Sequence, residues 1–121
     1  MTYGGQAENP ERASMSAVFE IKRNDTSPRL VYKLAPPVPL GGAAAVFNMC
    51  PASAPKGTAP LEREPATIED PAGVLGFTFT SAQTAVAGIF WGEFEVTYAD
   101  GSVETFPSKG HITIKIGHDL G

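Results

Sequence analysis

The side chains that could perform catalysis or bind a metal are few and far apart in the sequence. A nucleophile–base pair needs Ser, Thr or Cys beside a histidine, and a zinc site usually needs three or four converging His, Cys, Asp or Glu ligands. The 121 residues contain two histidines, His111 and His118, and one cysteine, Cys50. Their spacing fits neither arrangement, so we predict no catalytic residue, no metal site and no bound cofactor.

One pair of acids has a spacing that could suggest chemistry. Glu93 and Glu95 are two residues apart and would point to the same side of a strand, and glycosidases use a pair of carboxylates. The same spacing is more typical of a solvated outer strand face. The glycines at 41–42 lack the lysine and the spacing of a phosphate-binding loop. We therefore predict that the protein is not an enzyme.

Charge and composition exclude several classes of partner. The net charge is −4 and the isoelectric point is near 5.0, whereas nucleic acids and anionic membrane surfaces require clustered Lys and Arg. No apolar run approaches the ~20 residues of a membrane span. Residues 1–14 lack the basic start and apolar stretch of a signal peptide, and Cys50 alone cannot form an internal disulfide. We expect a soluble protein that folds in a reducing cytoplasm and binds neither nucleic acid nor membrane.

Short runs of alternating apolar residues, separated by Pro and Gly, predict an all-β protein. The chain contains 13 glycines and 11 prolines, which favour short strands joined by turns over helices. We predict seven or eight mostly antiparallel strands in a β-sandwich, between an N-terminal arm (1–14) and a C-terminal tail (118–121), with the domain itself at 15–117. Residues 81–87 form either a helical turn or a loop. The expected strands lie in 17–22, 29–34, 43–49, 61–69 (a short one around Ile68), 74–80, 89–98, 102–106 and 111–116.

The alternation also predicts which side chains share the core and which point outward. Trp91 falls on the outward side of its strand with Glu93 and Glu95, and Val46 and Val31 are outward by the same count. Either a loop, such as 50–60, covers these apolar residues, or they contact another subunit, since Trp is enriched at interface hot spots. The predicted core comprises Phe19, Leu30, Tyr32, Phe47, Phe77, Phe79, Phe94, Val96, Ile112 and Ile114.

The arm offers one further interface candidate. Residues 1–14 are polar and rich in glycine, with Tyr3 as their main apolar anchor. We expect a neighbouring chain to hold this arm, because a segment of this composition has little to pack against its own domain. The predicted protein-interface residues are Trp91, Val46, Val31 and Tyr3.

Several stretches of the chain resemble a known family. The most specific part is 88–101 (GIFWGEFEVTYADG), followed by Thr-Phe-Pro at 105–107, Gly-His-Ile at 110–112 and Ile-Lys-Ile at 114–116. The start, Phe-Glu-Ile-Lys at 19–22 with Asp-Thr-Ser-Pro at 25–28, fits as well, although Asn24 replaces a glycine. Residues 40–49 and 68–73 add weaker similarity. Over about 17–116 the chain resembles the immunoglobulin-like N-terminal domain of the phage baseplate upper protein family, a component of tailed-phage virions.

This resemblance implies an immunoglobulin-like sandwich and a function in assembly. Members of the family connect other phage structural proteins of the tail or baseplate, which implies a place in the virion, synthesis in the host bacterial cytoplasm and several symmetric copies per particle. The chain stops at Gly121 without a fibre stalk or receptor-binding head, so we expect an attachment role without host recognition. Two alternatives stay open: a capsid or neck decoration protein of the same fold, and a carbohydrate-binding module with Trp91 as a sugar-stacking platform.

Overall fold

The computed structural model describes residues 17–55 and 61–120, and all described secondary structure is β. The proposed arm, Tyr3 and part of the 50–60 loop lie outside the described residues. The eight strands are β1 (Val18–Lys22), β2 (Leu30–Lys33), β3 (Ala44–Pro51), β4 (Glu62–Asp70), β5 (Val74–Phe77), β6 (Gly88–Thr97), β7 (Val103–Phe106) and β8 (Ile112–Gly117).

The strands form two layers that share one strand. The larger layer has the order β1-β8-β6-β3-β4 and also holds β7, while the smaller has the order β4-β5-β2. The first part of β4, up to Ala66, pairs with β3, and the rest, from Thr67, pairs with β5, with a register shift between Ile68 and Asp70. The prediction of an all-β sandwich with seven or eight strands is confirmed.

Three features of the topology differ in detail from the prediction. β1 and β8 run parallel, while the other six strand pairings are antiparallel. β4 is a nine-residue strand rather than a short one around Ile68, because it bridges the two layers. β7 and β8 pair with successive halves of β6, so together they form one interrupted strand.

The segment at 81–87, which the sequence left undecided, is a turn without a helix. Thr84 in its centre is fully buried. Its hydroxyl donates a hydrogen bond of 2.8 Å to the carbonyl oxygen of Asp25, and its own carbonyl oxygen accepts one of 3.0 Å from the Asn24 amide. These bonds tie the segment to the β1–β2 loop and satisfy polar groups that would be costly to bury unpaired.

The Asp100-Gly101 pair makes the tight turn between β6 and β7 that the sequence predicts. Gly101 has φ +90°, which glycine adopts without steric cost. The Asp100 carboxylate accepts hydrogen bonds from the Ser102 hydroxyl at 2.6 Å and the Ser102 amide at 2.9 Å. These bonds stabilise the charged carboxylate and lower the pKa of Asp100.

Aromatic rings from both layers fill the centre of the core. Phe47 of β3 is fully buried and lies 4.6 Å from Phe77 and 5.1 Å from Phe94 between ring centroids, with Phe79 at 5.9 Å. Nine of the ten predicted core residues are buried. The tenth, Phe19, is half-buried and stacks on Phe79 at 5.6 Å.

We expect Phe94→Ala to lower the free energy of unfolding by roughly 3–5 kcal/mol, because it removes a fully buried ring from a tightly packed core. Denaturant melts of the isolated domain measure this loss. Thr97→Ala, on the exposed side of the same strand, is the control and should change stability by less than about 0.5 kcal/mol. A loss under about 1 kcal/mol for Phe94→Ala would mean that the inner face of β6 has been misassigned.

Alkaline pH should destabilise the fold through Tyr32. Burial raises the pKa of Tyr32 from its ordinary value of 10.0 to about 12, so the fold favours the neutral phenol. This contribution is complete below pH 10 and is lost as the pH rises from 10 towards 12. Urea melts between pH 8 and 12 should therefore show a smaller alkaline decline for Tyr32→Phe than for the wild type. Equal declines in the two proteins would contradict this account.

Candidate functional site

Trp91 lies on the outer surface of the larger layer, as the alternation in β6 predicts. Phe90, Phe94 and Val96 are buried on the inner side, while Trp91 on the outer side is 39% exposed. Directly opposite Trp91 lie Cys50 of β3 and Thr113 of β8. Both neighbours are half-buried, so Trp91 lies within the sheet surface, between strands on both sides.

Two further apolar side chains extend this surface. Val18 of β1 is 57% exposed and lies directly opposite Thr113, and Ile89 of β6 is 48% exposed, two residues before Trp91. The outward side chains of Val18, Ile89, Trp91, Thr113 and Cys50 are called the Trp91 face below. Only the pairing of β1 with β8, and of β8 with β6, shows that these residues are neighbours.

His111 supports the Trp91 ring from one side. Its imidazole stacks on the indole with 4.2 Å between ring centroids and 22° between ring planes, and the residue is half-buried. His111 reaches Trp91 because β8 begins directly after it and pairs Ile112 with Gly92, the residue next to Trp91.

A polar network borders the Trp91 face on β3, β4 and β6. Arg63 donates one hydrogen bond of 3.0 Å to Asn48 Oδ1 and another of 2.6 Å to Glu95 Oε1. Asn48 is 8% exposed, and Glu93 of β6 lies directly opposite it. The Arg63–Glu95 ion pair is largely exposed and contributes little to stability, but the network orders the side chains along this border.

The other predicted interface residues lie apart from Trp91. Val46 is half-buried on the same outer surface, directly opposite Glu95 and Pro65, so the polar network separates it from the Trp91 face. Val31 is 55% exposed on β2, in the other layer of the sandwich, and does not lie beside Trp91. Tyr3 lies outside the described residues.

The geometry of the Trp91 face suits binding of an apolar surface. Glu95 is engaged by Arg63, and residues 17–55 and 61–120 contain no group of three or more His, Cys, Asp or Glu that could hold a metal ion. In the same ranges no helix has the length and apolarity to cross a membrane. An exposed indole fixed in orientation by a stacked ring is a preorganised anchor.

Comparisons of the chain with protein-family models, with curated proteins and with solved structures found no match. The function is therefore inferred from the geometry of the Trp91 face and from the stretches of sequence described above.

Replacing His111 should change the environment of Trp91 without unfolding the domain. We expect His111→Ala to shift the Trp91 emission to longer wavelength, because water reaches the ring face that the imidazole covers. The loss of stability should stay near 1 kcal/mol, the scale of one aromatic contact. Trp91 is the only tryptophan in the chain, so fluorescence excited at the indole band reports this site alone.

The matched control is His118→Ala, which removes the other histidine from an exposed position beyond β8. It should leave the Trp91 emission unchanged. If His111→Ala and His118→Ala give the same spectrum as the wild type, the stacked arrangement of Trp91 and His111 is wrong.

Proposed function

We propose that this chain is a non-enzymatic structural protein of a bacteriophage virion, which attaches other virion proteins through the Trp91 face. The observation that carries the proposal is the cluster of three exposed large apolar side chains, Val18, Ile89 and Trp91, on β1 and β6, the two strands that flank β8. Scattered surface apolar residues are ordinary, whereas clustered ones around a fixed Trp are typical of protein-binding sites. The resemblance to the phage baseplate upper protein family is the reason for proposing that the protein is part of a virion.

The Trp91 face is well placed to bind without rearrangement. β6 is hydrogen-bonded to β3 on one side and to β7 and β8 on the other, so its outward side chains stand on a rigid backbone. His111 additionally restricts the indole. A preformed site loses little conformational entropy on binding, and more of the contact energy therefore appears as affinity.

The resemblance favours a place in the tail or baseplate. A capsid or neck decoration protein is the alternative within the same class, and it would use the same face. Both versions predict other phage structural proteins as partners and several symmetric copies per particle. The neighbouring genes distinguish them: tape-measure and baseplate genes favour the tail, whereas capsid and portal genes favour the head.

One feature of the structure favours a carbohydrate-binding module as the second candidate. The polar groups of Asn48, Arg63 and Glu93 border the Trp91 face, and sugar sites combine an aromatic platform with polar neighbours. Against this, His111 already covers one face of the indole, and Arg63 and Asn48 bond to each other. Binding of the isolated domain to a glycan array, lost in Trp91→Ala, would favour this second candidate.

We expect Trp91→Ala to leave the melting temperature of the isolated domain nearly unchanged and to reduce its incorporation into phage particles severalfold or more. The ring is partly exposed, so the core keeps its packing, while loss of a hot-spot Trp typically costs a complex about 2–4 kcal/mol. Quantitative mass spectrometry of purified particles measures incorporation. Val31→Ala, an apolar truncation on the opposite layer, is the control and should be incorporated normally.

Two outcomes would contradict the proposal. Normal incorporation of Trp91→Ala would exclude the Trp91 face as the attachment surface. Unfolding of the variant at ordinary temperature would show that Trp91 belongs to the core.

A further inference from the structure

The two sides of the Trp91 face carry opposite charge. One border lies at the Ile89 end of the Trp91 face. Lys115 of β8 lies there, directly opposite Ile89, and Lys22 of β1 lies further along on the same outer surface. At the opposite border, beyond Trp91, lie Glu93 and Glu95 of β6.

Glu20 offsets one of the two lysines and Arg63 one of the two glutamates. One border is left with net positive charge and the other with net negative charge.

We propose that a second copy of this chain occupies the Trp91 face. This inference rests on the proposed function and names the partner at that surface. A surface whose two borders carry opposite charge is complementary to itself when one copy is turned end for end against the other. Such self-complementarity is what a two-fold interface between identical subunits requires.

In this dimer the two-fold axis lies between the Trp91 faces of the two copies. It runs parallel to the row formed by Val18, Thr113, Trp91 and Cys50. Rotation about it lays the row of one copy on the row of the other and reverses the strand direction. Lys115 of each copy then faces the border that carries Glu93 of the other copy. Lys115 and Glu93 are offset sideways by about 4.8 Å, which is the spacing between neighbouring strands. The apolar row is buried once, and the Lys115–Glu93 contact is made twice.

The size of the surface sets the strength of the association. Four strands at about 4.8 Å and five residues at about 3.3 Å span roughly 300 Å² in projection. A stable dimer buries about 800 Å² per partner, so this contact is weak and concentration-dependent in the isolated chain. In a particle, where several copies are held close together, the effective concentration is high enough to keep it formed.

Sedimentation velocity over a wide concentration range tests the proposal with a matched pair of variants. Val18→Asp and Val31→Asp each place a carboxylate at an exposed valine of an edge strand, with 57% and 55% exposure, on opposite layers. We expect Val18→Asp to weaken self-association at least about tenfold relative to the wild type. Val31→Asp should associate as the wild type does. Equal behaviour of the two variants would overturn the proposal.

A charge exchange tests the two-fold arrangement itself. Lys115→Glu and Glu93→Lys should each weaken self-association, because each creates like-charge contacts across the interface. The double variant, Lys115→Glu with Glu93→Lys, restores opposite charges at both contacts and should recover most of the association. Additive weakening in the double variant would overturn the proposal.

Comparison with particle incorporation separates this inference from the proposed function. A wild-type chain that stays monomeric at millimolar concentration, while Trp91→Ala still fails to enter particles, would overturn self-association and leave the attachment function standing. Self-association that depends on the Trp91 face, with normal incorporation of Trp91→Ala, would support the inference and contradict that function. A monomer whose Trp91 becomes more accessible to a quencher after deletion of 1–14 would assign the face to its own N-terminal segment and overturn the inference.

Discussion

The packing of the Phe47 ring against the backbone of Gly92 is the contact on which the sandwich depends. A Cβ atom at position 92 would lie 2.6 Å from Cζ of Phe47, a separation that real structures do not tolerate. The absence of a side chain lets the ring lie across β6 and reach Phe77 of the other layer at 4.6 Å. Phe94 of β6 and Phe79, two residues beyond the end of β5, complete the cluster. The two layers are therefore joined through one ring and the space that one glycine leaves for it.

The buried side of β6 also determines its exposed side. Successive side chains of a strand point in opposite directions, so burial of Phe90, Phe94 and Val96 places Trp91 and Glu93 outward. A one-residue slip would bury charge and expose three apolar side chains. The cost of such a slip fixes the register, and with it the position of the Trp91 face. The same aromatic core that stabilises the sandwich thus positions the surface that we propose binds a partner.

The sequence predicted the faces of the strands well and their neighbours poorly. Alternation is a local property, so the buried positions of Phe94 and Ile112 could be read from a few residues. Pairing is not local: His111 reaches Trp91 only because β8 resumes pairing with β6 after the interruption at 107–111. Likewise, both Val46 and Val31 point outward, but only the topology assigns them to different layers. No local sequence pattern indicates that β4 switches between layers or that β1 pairs with β8 in parallel.

The central claim is that Trp91 is exposed in the isolated chain and covered by protein in the assembled particle. Hydroxyl-radical footprinting read by mass spectrometry measures this directly, because the indole is the single tryptophan of the chain. We expect ready oxidation of Trp91 in the dilute isolated protein and severalfold protection in purified particles, with Val31 of the opposite layer as the internal reference. Equal oxidation of Trp91 in the isolated chain and in the particle would contradict the account.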